Sequence, residues 1–534
     1  MEKIKQLTSE YKDFFIKYKK QISFITIVIV AIFVRVYWFG EWPPFVNQDE
    51  ASMGYDAWCI LTTGKDRFGM SFPIHFVAWG SGQNALYAYL SIPFIAIFGL
   101  NTFSLRIVQL IFAVISIFVI YLLVKKFKGT RAGLLSMAIL AISPWHIMLS
   151  HWGLESNIFP ALFLIGIYFT ALATEKSRYI YLAAFFFSLC LYSYGPAYLV
   201  VPVFAIICLI KFLIKKIIPI KNLIIAAGIF ILLSTPIFLF ILINALNLET
   251  INIGLLTIPK LPANRMSELF GLNIVNVVRN FLDIIIEQDD KQMIGVISGY
   301  GIFYLTTMPF VIFGIAKKEK KIFDFILLSA TISSALLFFY YNNSVSINNM
   351  NSLYIPLMIY AGIGLSEVKD RKLFLSILCC YCLMFVMFFS SYFNDSYGDK
   401  IKKDYRYDLP EAISAAEELA NGKEIYFIEE TEFSAPYPMW TLYYQKISPK
   451  IFNSNLEYYK AQENTMFPKI SHFSKYHFVY GEERKEEYKK DAVYIIHNDY
   501  LEEISDKERE KILNNEVVFI GDFNIVYTGR SSGS

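Results

Sequence analysis

Charged residues are scarce in this sequence. Only 18% of its 534 residues are charged, whereas 55% are hydrophobic, and the mean hydropathy is +0.43. A soluble protein of this length could not bury so much apolar surface. The net charge of +3 is small, and the basic residues come in short clusters between apolar runs, which argues against nucleic acid as a partner. The sequence therefore predicts a polytopic membrane protein.

Cysteine is rare, and the common nucleotide-binding motifs are missing. The six cysteines do not predict a disulfide framework, because five lie in apolar spans and Cys59 stands alone in a loop. The sequence has no P-loop, no dinucleotide-binding fingerprint and no Cys/His metal motif. The first apolar span, about residues 22–40, lacks a small-residue cleavage site, so we expect it to be retained rather than removed as a signal peptide.

Apolar runs predict about eleven membrane-spanning helices. They lie near residues 22–40, 104–124, 132–149, 158–173, 179–197, 198–214, 222–243, 300–316, 324–341, 352–366 and 373–393. A further apolar stretch, 85–100, would reverse the side of every later segment if it crossed the membrane. With 85–100 on the outer surface, the later Lys/Arg clusters all fall on the side of the Lys-rich N-terminus. We therefore expect an interfacial or re-entrant helix there, and an inside N-terminus.

This topology places four regions on the outer face, namely 41–103, 151–157, 244–299 and the chain after about 394. Residues 1–393 are predicted to form the membrane domain. Residues 394–534 are richer in Lys, Glu, Asp and Tyr, and predict a small extracytoplasmic α/β domain. Its predicted elements are a helix over Leu409–Ala420 and strands over Glu424–Ile428, Ala492–His497, Val517–Ile520 and Ile525–Tyr527.

Two adjacent carboxylates, Asp49 and Glu50, lie roughly ten residues beyond the first span, on the outer side. Removing a carboxylate from water beside a bilayer costs free energy, so these two acids are either solvated or functional groups in a pocket. The run from Glu50 to Thr63 predicts a short helix on the membrane surface that ends at Gly64. Asn47 and Glu50 match a capping box, which accounts for Glu50 structurally but not for Asp49.

Several motifs in the first part of the chain occur together in one known family. They are Asn47–Trp58, Thr63–Gly69, Ala85–Phe94, Phe98–Arg106, Ser143–Ile147, Gly153–Asn157 and Leu191–Tyr194. These motifs resemble the bacterial branch of the family 39-type, polyprenyl-phosphate-dependent glycosyltransferases. The family includes relatives of protein O-mannosyltransferases and of the aminoarabinose transferases that modify lipid A, which share the membrane fold called GT-C. The similarity covers roughly the first 200 residues, and the rest is similar only in layout.

The resemblance implies an enzyme that transfers a sugar from a polyprenyl-phosphate donor to a hydroxyl of a protein, lipid or cell-wall polymer, usually with inversion. It implies that Asp49 is the general base that accepts the proton of the attacking hydroxyl, and the adjacent Glu50 is a further candidate catalytic residue. Glu155 resembles the second acidic position of the family, where it would orient the acceptor, support Asp49 or bind a divalent cation such as Mg²⁺ or Mn²⁺. A solvated helix-cap role for Glu155 beside Asn157 remains an alternative.

The leaving group that the resemblance implies is a lipid phosphate, so positive charge or hydrogen-bond donors should face it. The candidates are Lys65, Arg67, Gln83, Arg106 and His151, with Arg265 of the long outer loop and Arg35 of the first span. Each has a structural alternative, because cations near span ends snorkel to headgroups and a lone histidine is commonly structural.

The chain departs from the family pattern at two places where relatives carry basic residues. Gln83 lies near the position where many relatives have Lys-Pro-Pro, and it can hydrogen-bond without neutralising charge. The stretch Asn348–Asn351 stands where relatives often have His or Arg. A metal ion is therefore a more attractive substitute at the phosphate.

The alternative class is a polytopic transporter or flippase for a lipid or a solute. Transporters usually place ionisable residues at mid-membrane and show repeated halves, whereas here the spans are nearly free of charge and the acids cluster at one surface. We therefore favour a glycosyltransferase of the bacterial cytoplasmic membrane. An enzyme of the same fold that moves a preassembled oligosaccharide or a phosphate-bearing group differs only in substrate and remains open.

Overall fold

The computed structural model describes residues 2–263, 273–317, 319, 321–341, 345–428, 437–458, 469–480 and 488–531, with side chains described within these ranges from residue 17 to residue 529. The chain divides into two compact units. The first unit comprises Met1–Gly40, Arg106–Phe238 and Met266–Asn394. The second unit comprises Glu41–Leu105, Leu239–Arg265 and Asp395–Ser534.

The described chain is mainly helical. In chain order the helices are α1 (Glu2–Val36), α2 (Gln48–Thr63), α3 (Leu86–Phe98), α4 (Thr102–Lys128), α5 (Thr130–Ile142), α6 (Pro144–Leu149), α7 (Glu155–Ala173), α8 (Tyr179–Ser193), α9 (Ala197–Ile214), α10 (Ile220–Ala245), α11 (Ile274–Phe281), α12 (Met308–Ala316), α13 (Ile322–Ala335), α14 (Leu337–Tyr340), α15 (Asn351–Ser366), α16 (Arg371–Tyr392), α17 (Asp395–Asp404), α18 (Leu409–Ala420), α19 (Tyr437–Gln445), α20 (Pro449–Ser454), α21 (Asn498–Glu503) and α22 (Asp506–Leu513). The strands are β1 (His75–Phe76), β2 (Gln83–Asn84), β3 (Ile251–Ile253), β4 (Leu256–Ile258), β5 (Ile425–Ile428), β6 (Glu457–Tyr458), β7 (Ile470–Phe473), β8 (Tyr476–Val479), β9 (Val493–His497), β10 (Asn515–Ile520) and β11 (Phe523–Ser531).

The described residues include six helices that are long and apolar enough to cross a membrane. They are α4, α7, α9, α10, the continuous segment Ile322–Tyr340 and α16. Shorter apolar helices occur at Leu86–Phe98, Thr130–Ile142, Tyr179–Ser193 and Leu305–Ala316. The prediction of a multi-pass helical membrane protein is confirmed, but the count of about eleven spans is not.

Helix α3 is the structural counterpart of the ambiguous stretch 85–100. It has 13 residues, which at 1.5 Å per residue gives a length of about 20 Å, shorter than a hydrocarbon core of about 30 Å. A helix of this length suits the predicted interfacial or re-entrant position. Its placement relative to a membrane stays a prediction.

Helix α15 of the first unit is almost completely buried. Every residue from Asn351 to Leu365 is buried, and the helix packs against α5, α7, α12 and α13. Two glycines allow this close packing. A Cβ at Gly362 would lie 2.0 Å from Ser136 Oγ, and one at Gly364 would lie 2.1 Å from the Phe310 carbonyl oxygen. Small residues at helix contacts are the usual means of close packing in membrane helices.

The second unit contains a seven-stranded sheet in the order β10-β11-β9-β5-β8-β7-β6. Strand β5 pairs in parallel with β8 and β9, and the other pairs are antiparallel. Strands β5 and β9 are buried throughout, as expected for central strands covered on both faces. The predicted helix Leu409–Ala420 is confirmed with the same bounds. The four predicted strands are also found, with shifted ends, whereas β6, β7 and β8 were not predicted.

The second unit brings the segment 41–105 together with residues after 395. Trp440 Nε1 donates to the Val46 carbonyl oxygen at 3.2 Å, and Asn453 Nδ2 donates to that of Arg67 at 2.6 Å. The Tyr55 hydroxyl donates to the Ile447 carbonyl oxygen. The structure thus groups the segment that carries Asp49 with the C-terminal helices α19 and α20. The division into domains 1–393 and 394–534 stays a prediction.

Candidate active site

Asp49 lies in the first turn of α2, whose start is fixed by a capping box. Asn47 Oδ1 accepts from the Asp49 backbone N–H at 2.7 Å, and the Asn47 backbone N–H donates to Glu50 Oε2 at 3.0 Å. The helix ends at Gly64, which has a left-handed backbone conformation with φ of 71°. The predicted cap and helix end are therefore confirmed. This start places the Asp49 carboxylate at the positive end of the helix dipole, which favours its charged form.

Trp79 and Gln83 hold Asp49 from a second segment of the chain. Trp79 Nε1 donates to Asp49 Oδ1 at 3.2 Å, and Gln83 Nε2 donates to the Asp49 backbone oxygen at 3.4 Å. Gln83 Oε1 in turn accepts from the Ser52 hydroxyl at 2.9 Å. Asp49 is half-buried and Gln83 is buried. Gln83, a predicted phosphate contact, therefore lies beside Asp49, and Trp79 is a second neighbour of the carboxylate.

The loop before Gln83 depends on a glycine. Gly82 has φ of +93°, and a Cβ there would lie 2.6 Å from His75 Cε1. The His75 ring is buried and stacks on Phe240 with a centroid distance of 4.2 Å. Burial lowers the pKa of His75 to about 4, so this ring is neutral at pH 7. Gly82 and His75 together fix the approach of Gln83 to α2.

Tyr405 contributes a hydroxyl near the same helix end. Its side chain hydrogen-bonds Asn47, and burial, together with the nearby charges of Asp49 and Glu50, raises its pKa. Tyr405 is therefore protonated at neutral pH. Nothing in the sequence pointed to Tyr405, because it is about 350 residues away from Asp49 along the chain and no motif surrounds it.

Arg67 lies in the interior of the second unit. Its Nε donates to Asp56 Oδ1 at 2.9 Å and its Nη2 to Asp56 Oδ2 at 2.6 Å, a bidentate pair with both side chains buried. Nη2 also donates to the Ser52 carbonyl oxygen at 2.7 Å. These partners occupy the Nε and Nη2 donors of the guanidinium. The predicted phosphate contact of Arg67 stays a prediction, and the structure gives this residue a structural role.

Lys65 and Asp66 flank Arg67 and differ sharply in exposure. Lys65 is exposed, which suits the predicted contact with a phosphate. Asp66 is buried, and its Oδ1 accepts from the backbone N–H groups of Phe68 at 3.0 Å and Met70 at 2.8 Å. Its Oδ2 is buried without a hydrogen-bond partner among the described residues. Burial first, and then the charge of Asp56, raises the pKa of Asp66 to about 7.

Arg106 and His151 lie in the first unit and are fully buried. The Arg106 guanidinium lies over the ring of Trp152, 4.9 Å from its centroid. His151 Nδ1 lies 2.9 Å from the Ile147 carbonyl oxygen. Burial, together with the nearby charge of Arg106, lowers the pKa of His151 to about 4. His151 is therefore a neutral ring beside a cation rather than a second positive charge.

Glu155 begins α7, where an acid is favourable at the helix N-terminus. It is half-buried, and the residues that follow it belong to a buried polar network. Asn351 Nδ2 donates to the Ser156 carbonyl oxygen at 3.2 Å, and Trp145 Nε1 donates to Asn351 Oδ1 at 2.9 Å. This network joins the start of α7 to the start of α15, and it includes one of the asparagines that replace the basic residues of relatives.

Asn349 links a second family motif to the same region of the first unit. Its Nδ2 donates to the hydroxyls of Tyr194 at 2.9 Å and Tyr341 at 3.2 Å. Two residues earlier, the Ile347 backbone N–H donates to Asp290 Oδ2 at 2.7 Å. Sequence reasoning noted the missing basic residue here but missed these polar partners.

The predicted site residues thus fall in both units. Asp49, Glu50, Lys65, Arg67 and Gln83 belong to the second unit, whereas Arg106, His151 and Glu155 belong to the first. Arg35 is buried in the first unit and donates to the carbonyl oxygens of Ala31 at 2.9 Å and Ala141 at 3.0 Å. Arg265 lies outside the described residues. The catalytic and phosphate-binding roles of these residues stay predictions.

Residues 84–239 match the family described as dolichyl-phosphate-mannose-protein mannosyltransferase. The chain is similar in structure to ArnT from Cupriavidus metallidurans in the apo state, with a TM-score of 0.55, 10% identity, and coverage of 95% of this chain and 97% of that one. It is also similar to the oligosaccharyltransferase of Archaeoglobus fulgidus in complex with Zn and sulfate, with a TM-score of 0.51, 13% identity, and coverage of 79% and 61%. No curated protein sequence matches significantly.

The family match confirms the resemblance drawn from the sequence motifs, which it overlaps between Ala85 and Tyr194. The structural similarity confirms a helical fold of the GT-C type. The comparisons therefore show a likeness to this family over residues 84–239 and a shared fold over most of the chain, and they do not favour the transporter alternative.

Proposed function

We propose that this protein is a membrane glycosyltransferase that moves a monosaccharide from a polyprenyl-phosphate donor to a hydroxyl group of a protein, lipid or cell-wall glycopolymer. The transfer takes place at the outer face of the bacterial cytoplasmic membrane and inverts the anomeric centre. The N-terminus is inside and residues 394–534 are outside. The family description supports a polyprenyl-phosphate sugar as the donor, because it names a dolichyl-phosphate mannose.

The observation that carries the proposal is the setting of Asp49. A general base must be ionised and must be held within reach of the hydroxyl proton. The N-terminus of α2 favours the charge, and the Trp79 indole fixes one carboxylate oxygen at 3.2 Å. Gln83 holds the backbone of the same residue. These contacts orient the carboxylate before substrate binds, so less of the binding free energy is needed to order it.

Glu50 has a different part in this proposal. It is buried, and one of its carboxylate oxygens accepts from the Asn47 backbone N–H at 3.0 Å. Glu50 therefore acts on catalysis by holding the first turn of α2 and, through it, Asp49. Glu155, at the start of α7, is proposed to orient the acceptor or to support the base.

Two positive groups are proposed to stabilise the leaving phosphate. Lys65 is exposed, so its ammonium is available to an anionic ligand. Arg106 is buried against Trp152, where low polarity strengthens its attraction for a phosphate. Neutral His151 is proposed as a hydrogen-bond donor rather than as a charge. Arg67 is the weakest of the predicted contacts, since Asp56 and Ser52 already bind its guanidinium.

A divalent cation at the phosphate remains part of the proposal only as a cofactor to be tested. Mg²⁺ and Mn²⁺ prefer several oxygen ligands. Among the described residues, no group of three potential metal ligands forms around Asp49 or Glu155. A cation there would need oxygens from the donor phosphate itself, so it would bind with the donor rather than before it.

The test is sugar transfer by the full chain in proteoliposomes. Polyprenyl-phosphate monosaccharides of different sugars are supplied with cell-envelope extract, with and without Mg²⁺ or Mn²⁺, and released polyprenyl phosphate and labelled product are measured. We expect release of polyprenyl phosphate with at least one sugar, and a product of inverted configuration by NMR. Movement of intact donor across the bilayer, with no release for any sugar, would contradict the proposal and restore the transporter hypothesis.

A further inference from the structure

Three potential metal ligands meet on the C-terminal sheet of the second unit. Glu424 directly precedes β5, His472 lies on β7 and His477 lies on β8. His472 and His477 are register partners in the β7–β8 pair, and His477 faces Tyr426 in the adjacent parallel pair. One ligand atom from each of the three side chains lies within 4.8 Å of the other two. No sequence motif predicted this group, because Glu424 is far from the histidines along the chain.

We propose that Glu424, His472 and His477 bind a transition-metal ion of the Zn²⁺ class and thereby join three neighbouring strands. Two imidazoles and one carboxylate form a ligand set that suits Zn²⁺ rather than Mg²⁺, which prefers oxygen. Bonds of about 2.0–2.1 Å in a tetrahedron place ligand atoms about 3.3 Å apart. The three side chains therefore need only small rotations to close around an ion.

Neighbouring groups already orient the two imidazole rings. His472 Nε2 lies 2.9 Å from the Ser474 carbonyl oxygen, so it donates its N–H there and leaves the lone pair on Nδ1. A ring N–H bound to a backbone carbonyl is the usual outer support of a metal-binding histidine. The His477 ring stacks on His472 and on Tyr426, each with a centroid distance of 4.4 Å. Ordered rings reduce the entropy lost when the ion binds.

The charges around the group both favour and oppose a cation. His477 Nε2 contacts the Glu424 carboxylate, and this negative charge favours a metal ion. Lys489 lies 5.2 Å from the centre of the Tyr426 ring, and its positive charge acts against a cation at His477. The side chain of Glu424 is 52% exposed, so solvent can supply the fourth ligand.

The alternative is an ordinary hydrogen bond between His477 and Glu424 with no ion. The two interpretations differ at His472, which a His477–Glu424 contact does not need. A metal site requires all three side chains, so removing His472 should abolish binding while leaving that contact intact.

The test uses the full chain in detergent, with any affinity tag removed and metal stripped by a chelator. Zn²⁺ binding is measured by calorimetry, and Co²⁺ binding by the visible absorption that a tetrahedral site produces. We expect one equivalent of Zn²⁺ per chain, and at least tenfold weaker binding for each of His472→Gln, His477→Gln and Glu424→Gln. The matched control is Glu516→Gln, which removes an exposed carboxylate from β10 of the same sheet and should leave binding unchanged.

Thermal unfolding separates loss of the site from loss of the fold. Zn²⁺ should raise the unfolding temperature of the wild type and of Glu516→Gln but not that of His472→Gln, while the metal-free forms of all three should unfold at the same temperature. The proposal is overturned if wild type binds no Zn²⁺ against a competing chelator, or if His472→Gln binds it as tightly as wild type. Neither result bears on sugar transfer, since the group is separate from Asp49.

Discussion

Replacing Arg67 by methionine should destabilise the protein strongly. Met has a similar length but cannot donate to Asp56, whose carboxylate would remain buried without its ion-pair partner. In the native structure that carboxylate receives the Arg67 backbone N–H at 3.0 Å, Nε at 2.9 Å and Nη2 at 2.6 Å. Removing one member of a buried ion pair costs about 3–5 kcal/mol, because the other charge is left desolvated. The apparent unfolding temperature should fall by on the order of 10 °C.

The double variant Asp56→Leu/Arg67→Met tests the physical reason for this loss. Because it removes both charges of the pair and leaves neither partner buried alone, it should recover a large part of the stability, and the non-additivity of the two changes gives the coupling between them. Unfolding of purified protein in detergent is followed by tryptophan fluorescence, and donor consumption is measured in parallel. If Arg67→Met unfolds at the wild-type temperature but has a much higher KM for the donor, then Arg67 contacts phosphate and the structural role argued above is wrong.

Three other changes probe the second unit. Gly82→Ala should lower the free energy of unfolding by about 1–3 kcal/mol, because φ is +93° and the new Cβ would lie 2.6 Å from His75. The control is Gly69→Ala, where φ is +83° but no atom lies near the new Cβ, so the loss of stability in the same unfolding assay should be smaller. The pKa of Asp66 is raised to about 7 in the folded state. The protonated side chain therefore contributes to stability at low pH, and this contribution is lost as the pH rises through 7. Asp66→Asn should remove this pH dependence of the stability between pH 5 and pH 8. Lys65→Met should raise the KM for the donor about tenfold, which corresponds to a loss of roughly 1.4 kcal/mol of phosphate binding. The unfolding temperature should not change, because Lys65 is exposed. The first expectation is contradicted if the two glycine variants lose equal stability. The second is contradicted if the pH dependence of stability survives in Asp66→Asn, and the third if Lys65→Met leaves the KM for the donor unaltered.

Local sequence signals predicted local structure well. The Asn47–Glu50 pair and Gly64 predicted both ends of α2, because caps depend on residues within one helical turn. The bounds of α18 were also predicted, since its apolar residues recur at helical spacing. The number of membrane spans was less accessible, because several helices are shorter than a bilayer is thick and hydropathy alone does not decide whether they cross.

The candidate site was only partly visible in the sequence. The family resemblance pointed to Asp49, and a departure from the family pattern drew attention to Gln83; the structure brings these two together. Long-range partners gave no sequence signal. Tyr405 reaches the start of α2 through the fold alone, and the burial of Arg67 depends on the C-terminal helices that pack on α2. Charge type suggested that Arg67 binds phosphate, whereas its burial and its pairing with Asp56 indicate a structural role.

The central claim is that Asp49 is the general base of sugar transfer, and the rate of the Asp49→Asn variant tests it most directly. Asparagine keeps the size of the side chain and can still accept from Trp79, but it cannot take a proton. The matched control is Asp395→Asn, which changes an exposed acid in the first turn of α17. We expect transfer from the polyprenyl-phosphate sugar to be at least about a hundredfold slower in Asp49→Asn and unchanged in Asp395→Asn, at equal unfolding temperatures. A well-folded Asp49→Asn protein that transfers sugar at the wild-type rate would contradict the account.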